Sequence, residues 1–223
     1  MTAAPRIAAV VFDMDGVIFD TEKLYFAAQD EMLRKRRHRF TPELASRIMG
    51  MPGVPAMGLI RDLLGIEDPA QALYDESQVN FQALLPAELQ MMDGAAELME
   101  TARSCGFPTA LATSTKRELA MQMLSAFDLP RRFDAILTFD DVTHGKPHPE
   151  MYEKACAAVG VEPSTVLVIE DSVNGVKSAV AAGCCTVAVR HDHNRSVEFP
   201  PVHFIAESMR DFRLHNLVRN GVT

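Results

Sequence analysis

Six side chains stand at or just past the ends of short apolar runs, and their types suit the handling of a phosphoryl group. Asp13 closes the run Ile7–Phe12, and Asp15 follows two positions on. Thr113 ends the run that starts at Thr109, Lys146 lies in the loop after Ala135–Thr138, and Glu170-Asp171 follow Thr165–Ile169. Carboxylates crowded at one place repel one another, and their pKa values rise unless a cation joins them. An all-oxygen set suits Mg²⁺, which keeps several waters and readily takes a phosphate oxygen. A lysine point charge and a threonine hydroxyl suit a second anion, so Lys146 and Thr113 are expected to hold phosphate. The chemistry that uses all of these parts is phosphoryl transfer. Asp13 is the expected nucleophile, forming an aspartyl-phosphate. Asp15 is placed to protonate the leaving oxygen and then to deprotonate the attacking water. Asp171, Asp13 and the Asp15 main-chain carbonyl are expected to hold Mg²⁺, with Glu170 coordinating directly or through water. Gly16 allows a sharp turn beside the phosphate. Ser114, next to Thr113, and Lys116 just beyond it are further candidates for binding substrate.

These residues need a scaffold that brings separate loops to one edge. The runs Ile7–Phe12, Thr109–Thr113, Ala135–Thr138, Thr165–Ile169 and Thr186–Val189 are continuously apolar or β-rich rather than alternating, as strands of a parallel sheet covered on both faces would be. Helical patterns lie between them at about Ala95–Cys105, Lys116–Phe127, Pro149–Val159 and Val173–Ala182, with Gly106, Gly160 and Gly183 at C-termini. Strand and helix in alternation predict an α/β fold, a doubly wound parallel sheet with right-handed crossovers. In such sheets ligands bind beyond the carboxyl ends of the strands, where the six side chains fall. Roughly 70 residues from Thr21 to Met92 contain no buried-strand run and read as helical throughout, far longer than an ordinary strand-to-helix connection. They are expected to form an inserted helical cap domain, residues 21–92, with residues 1–20 and 93–223 as the catalytic core.

Composition narrows the partners. The 223 residues carry 22 Lys+Arg against 30 Asp+Glu, a net charge of −8, which argues against nucleic acid because phosphate backbones demand a positive surface. The basic run Arg34–Arg39 ends a cap helix, where cations complement the helix dipole, and is expected to be a solvated face. No segment approaches the ~18 apolar residues of a membrane helix, and the first apolar run is too short for a secretory signal. Cys105, Cys156, Cys184 and Cys185 show no metal-like spacing and read as small buried hydrophobes in a reducing compartment. A cytoplasmic monomer without nucleic-acid or membrane partners is expected. His191-Asp-His193 is expected to be a surface loop rather than a zinc site. Met32, Met49, Met51, Met57, Met91 and Met92 are expected mostly to fill the cap core, with Met51 and Met57 as alternatives for a substrate pocket.

Asp13-Met-Asp-Gly-Val-Ile-Phe-Asp20-Thr-Glu22 resembles the first motif of the haloacid dehalogenase superfamily, in its β-phosphoglucomutase-like phosphatase branch. Leu111-Ala-Thr-Ser-Thr115 is similar to the second motif, Gly145-Lys-Pro-His-Pro-Glu150 to the third, and Val168-Ile-Glu-Asp-Ser-Val-Asn-Gly175 to the fourth. The resemblance spans nearly the whole chain, with the motifs in order. It implies a Rossmann-like core, a mobile helical cap, Mg²⁺ dependence and the roles given above.

Departures from that pattern bear on the reaction. Mutases of the branch carry a cap arginine shortly after a glycine, whereas the corresponding segment Gly50-Met-Pro-Gly-Val-Pro55 has none. Tyr25 stands near the position of a mutase histidine, and Asp15 is intact, unlike the smaller residue of the phosphonate hydrolases. The expectation is hydrolysis of a small phosphorylated metabolite, such as a sugar phosphate. A sugar phosphomutase is the alternative. A phospho-accepting signalling module fits less well, because such modules lack both the 70-residue insertion and the acid two positions after the nucleophile.

Overall fold

The computed structural model of the protein describes residues 6–48 and 50–221, so Met49 lies outside the described residues. In chain order the first elements are β1 (Ala9–Phe12), α1 (Thr21–Arg34), α2 (Pro42–Ile48), α3 (Gly53–Leu64), α4 (Ala70–Glu88) and α5 (Ala95–Ser104). There follow β2 (Thr109–Ala112), α6 (Arg117–Ser125), β3 (Ala135–Leu137), α7 (Glu150–Val159), β4 (Val166–Glu170), α8 (Val173–Ala181), β5 (Cys185–Val189), β6 (Phe204–Ala206) and α9 (Phe212–Asn220). The chain divides into two compact units, one of residues 1–20 with 91–223 and one of residues 21–90.

The first unit is built on a sheet whose described strands run in the order β3-β2-β1-β4-β5-β6, every pair parallel. This is the expected doubly wound α/β arrangement. Its continuous hydrophobic runs follow from burial on both faces: Ala9, Val11, Ala110, Ala112, Val166 and Val168 pack under Met151, Tyr152, Ala155 and Cys156 of α7 and Ala179 of α8. The alternate residues Val10, Phe12, Leu111, Leu167 and Ile169 are equally inaccessible. Strand order reverses at β1, because β2 lies on one side of it and β4 on the other. Phe12 stands level with Leu111 and Ile169, so the residues that follow β1, β2 and β4 emerge side by side at the switch point. The chain adds β6 and α9 to the elements expected from sequence. Both are short, and α9 buries only Leu214 and Val218 among charged neighbours, so its apolar signal is thin.

In the second unit α1, α3 and α4 enclose Met32, Leu33, Met57, Ile60 and Leu73, joined by Phe40 and Ala56. Tyr25 stacks on Phe81 with ring centroids 4.2 Å apart. Met57 is a core residue, 2% exposed, rather than a pocket wall, whereas Met51 is exposed. Met91 and Met92 belong to the first unit, where the Met92 N–H donates to Ile18 O at 2.8 Å. The basic run is matched by local acids. Arg34 and Arg39 flank Asp30, Lys35 pairs with Glu76 at 2.8 Å, and Arg36 reaches both Asp68 and Glu76. Three acids thus offset much of the run's charge within the unit. No described helix is long and apolar enough to cross a membrane.

Candidate active site

The site grows from the carboxyl ends of β1 and β4. The Asp13 N–H donates to Ile169 O at 3.0 Å, which carries the strand ladder one residue past β1 and holds the Asp13 side chain in the crevice, 6% exposed. Lys146 reaches the same point from the loop before α7. Its ammonium donates to Asp13 Oδ1 at 2.6 Å, Glu170 Oε1 at 2.7 Å and Ala112 O at 3.0 Å, so its three protons meet three acceptors. Glu170, the last residue of β4, has no solvent contact. Its Oε1 also accepts from the Tyr152 hydroxyl at 2.8 Å. Its Oε2 accepts from the Asp171 and Ser172 amides, each at 2.9 Å, and from Ser172 Oγ at 3.0 Å. Ser172 then caps α8 by accepting from the Gly175 N–H at 3.0 Å. A Cβ on Gly175 would overlap the Glu170 carboxylate, so the first turn of α8 approaches that group directly only because residue 175 is glycine.

These contacts divide the charge unequally. Burial raises the pKa of Asp13 well above the ordinary carboxylate value; Lys146 opposes this, while Glu170, Asp171 and Asp15 reinforce it. Burial also acts to raise Glu170, but the charge and hydrogen bond of Lys146, with the Ser172 amide and Tyr152, outweigh it and hold Glu170 low. Lys146 is itself held in the charged form, because Asp13 and Glu170 together overcome its desolvation. One lysine shared by several acids thus satisfies Glu170 and leaves Asp13 short of positive charge.

Asp15 lies beside Asp13 and is oriented by the loop after β2. Thr115 Oγ1 donates to Asp15 Oδ2 at 2.9 Å and Thr113 Oγ1 to the same oxygen at 3.3 Å, while the Thr115 N–H donates to Thr113 Oγ1 at 3.0 Å. Thr113 is wholly buried. Ser114 and Lys116 on the same loop are exposed, and Lys116 precedes the first turn of α6. Arg117 is drawn away to Asp141 at 2.6 Å. On the other side of Asp13, Asp171 lies over Gly16. That glycine has φ +72°, and a Cβ there would fall 2.0 Å from Asp171 Oδ2, so turn geometry and packing both require its bare backbone.

Asp13, Glu170 and Asp171 each offer a carboxylate oxygen within 4.8 Å of the others, a set that could hold a metal ion. Oxygen donors and an Asp13 carboxyl lacking positive charge fit a hard divalent cation. Glu170 already accepts five donors through its two oxygens, which favours Asp13 and Asp171 as the exchangeable ligands.

Residues overlooked in the sequence complete the arrangement. Tyr152 drew no notice within the helical pattern Pro149–Val159, and its hydroxyl on Glu170 reveals a polar task. His191 is not on the surface: its side chain is 8% exposed, and Nε2 lies 2.9 Å from Asp171 Oδ2. Because Nδ1 accepts the His193 N–H at 3.3 Å, the ring proton sits on Nε2 and is donated to Asp171. Asn194 Nδ2 binds the Asp171 carbonyl at 2.9 Å and anchors the same loop. The pair of histidines in a polar run was visible, but its approach to a residue 20 positions earlier was not.

With this geometry in view, comparisons with known proteins agree. The pattern of the haloacid dehalogenase-like hydrolases matches residues 10–189. The chain is 36% identical over 179 residues to the phosphorylated carbohydrates phosphatase of Thermotoga maritima, covering 78% of this chain and 81% of that one. It is 30% identical over 192 residues to the validoxylamine A 7'-phosphate phosphatase of Streptomyces hygroscopicus subsp. limoneus, covering 82% and 86%. The crystal structure of CbbY from Rhodobacter sphaeroides in complex with phosphate shares its fold with TM-score 0.73 at 26% identity, covering 92% of this chain and 96% of that one. The parallel sheet, the acidic crevice at its switch point and these matches agree that the chain belongs to the haloacid dehalogenase-like hydrolases.

Proposed function

We propose that this hydrolase removes phosphate from a small phosphorylated metabolite, of the sugar-phosphate kind, through an aspartyl-phosphate on Asp13. The chain is a phosphoric monoester hydrolase. The observation that carries this reading is the Lys146 ammonium bridging Asp13 and Glu170 at the strand tips, with Asp15 held two residues on by two threonine hydroxyls. The phosphatase relatives support the same reaction class.

In the first step a carboxylate oxygen of Asp13 forms a bond to phosphorus, and the bond to the leaving alkoxide breaks. Asp15 gives that alkoxide its proton, with Oδ2 fixed by Thr113 and Thr115 and Oδ1 carrying the proton. In the second step Asp15 takes a proton from water as the water oxygen attacks phosphorus. The bond to Asp13 breaks, inorganic phosphate leaves, and both aspartates return to their starting states. Lys146 offsets charge on the transferring group, and Thr113, Ser114 and Lys116 contact it or the rest of the substrate. Mg²⁺ would be held by Asp13, Asp171 and the Asp15 carbonyl, and when bound it supplies positive charge to the phosphoryl oxygens. In this reading residues 21–90 are the cap domain and residues 1–20 with 91–223 the catalytic core, two residues short of the 21–92 cap expected from sequence.

A phosphate-release screen over phosphorylated metabolites, with and without Mg²⁺, tests the proposal. Release must require the cation and exceed any isomer formed from hexose 1-phosphates; isomer without free phosphate would establish a mutase instead. Two variants probe the division of labour. Asp15→Asn should lower kcat on an alkyl phosphate by about 10²–10⁴-fold, the range for loss of a general acid–base group. Its single-turnover acyl-phosphate formation should largely recover with p-nitrophenyl phosphate, whose leaving group needs no proton. Equal loss on both esters in that step would remove Asp15 from the acid role. His191→Ala strips a donor from Asp171 and should raise the Mg²⁺ concentration needed for half-maximal binding by about 10–100-fold, measured by direct titration. Unchanged Mg²⁺ affinity would show that the contact does not orient the ligand.

A further inference from the structure

We infer that His144, His148 and Glu150 form a surface site for a transition-metal ion of the Zn²⁺, Ni²⁺ or Cu²⁺ class, on the segment that carries Lys146. The inference does not rest on the function proposed above. One ring nitrogen from each histidine and one Glu150 oxygen lie within 4.8 Å of one another. His144 Nδ1 is 3.1 Å from Glu150 Oε2, and the two imidazole centroids are 4.6 Å apart with their planes 33° from parallel. Ligands on adjacent corners of an ion with bonds of about 2.1 Å stand roughly 3.0–3.4 Å apart. The His144–Glu150 pair already meets that spacing, with a proton where the ion would sit. His148 must close by a small ring movement. Both histidines are exposed, so such a movement displaces no core packing.

Glu150 is the prepared member of the set. Its Oε1 accepts from the Thr143 amide at 2.9 Å and from Lys154 Nζ at 2.7 Å, and its Oε2 accepts from the His144 amide at 2.9 Å. Lys154 and these amides hold the carboxyl well below its ordinary range. The ligand is therefore ionised and fixed in direction before any ion arrives. Lys154 opposes a second cation, but it binds the other oxygen and its side chain is half-exposed, where water screens its charge. Two imidazoles and one carboxylate suit borderline ions, whereas Mg²⁺ prefers an all-oxygen set, so this cluster and the Asp13–Asp171 cluster select different metals. A simple His–Glu hydrogen bond at a helix start would need His144 alone. The placement of His148, with Nδ1 accepting the Glu150 N–H at 3.3 Å and a ring nitrogen within 4.8 Å of the other two ligand atoms, is what points to chelation. Because the two histidines stand two positions either side of Lys146, an ion joining them would clip the Lys146 segment into a closed loop.

The test is calorimetric titration of the full-length protein with Zn²⁺ and with Ni²⁺, in saturating Mg²⁺, alongside His144→Ala, His148→Ala and the double variant. Metal-free melting temperatures confirm that the exposed substitutions leave the fold intact. Wild type should bind one more equivalent than the double variant. Each single substitution should weaken that equivalent by about tenfold or more, since losing a ligand costs at least the 10–100-fold typical of losing a ligand's outer partner. Zn²⁺ should also raise the melting temperature of wild type more than that of the double variant. Equal stoichiometry and affinity in wild type and the double variant would overturn the proposal. So would a His148→Ala protein that binds as wild type does, because it reduces the site to an ordinary hydrogen-bonded pair.

Discussion

Asp13→Asn is expected to lower kcat by about 10⁴-fold or more, the scale seen when an enzyme loses its nucleophile. The amide cannot form the acyl-phosphate, yet it preserves nearly every contact of the carboxylate. Its carbonyl oxygen still accepts from Lys146, and Lys146 keeps Glu170 and Ala112 O. Stability should move the other way. Burial and three neighbouring carboxylates work against the charge on Asp13, so a neutral residue there removes repulsion. Denaturant midpoints should equal or exceed those of wild type while turnover disappears. A variant that retains kcat within a factor of ten would exclude Asp13 as the group that is phosphorylated.

The second large effect is expected from Lys146→Met. It leaves Asp13 and Glu170 without the ammonium they share, and removing one partner of a buried ion pair typically destabilises by about 3–5 kcal/mol. Turnover should also fall by about 10²–10³-fold, as when one preorganised charge donor is deleted. The pH dependence gives the claim its sign. In wild type, Glu170 has a folded pKa below its unfolded value, so the stability it contributes is present above the unfolded value and fades as pH falls through the folded one. Without Lys146, burial dominates and the folded carboxyls rise above their unfolded values. The folded state then binds more protons than the unfolded state, and its stability declines as pH rises. The deficit relative to wild type should therefore be larger at pH 8 than at pH 5, measured by denaturant midpoints at both. A deficit that does not change with pH would mean that Lys146 matters for packing and not as a counter-ion.

Much of the scaffold was legible without coordinates because its signals are local. A continuous apolar run means a strand covered on both faces, and the five runs found in the sequence became β1 to β5 with boundaries shifted by only a residue or two. The carboxylates at their ends follow from chain position alone, as does the lysine loop before α7. Strand β6 and helix α9 escaped notice for the opposite reason. Phe204–Ala206 is three residues long, and the nine residues of α9 carry too few apolar positions to mark a face.

Partnership was decided elsewhere. Whether Glu170 faces a metal or a lysine depends on Lys146, 24 positions earlier, and on a tyrosine hydroxyl delivered by α7. Whether His191 meets water or Asp171 depends on a loop after β5 folding back across β4. Residue order along the chain specifies which groups arrive at the sheet edge, since strand periodicity and helix punctuation act over a few residues. Hydrogen bonding and desolvation act through space between distant segments, and so only the folded chain assigns each of those groups its neighbour, its charge and its burial.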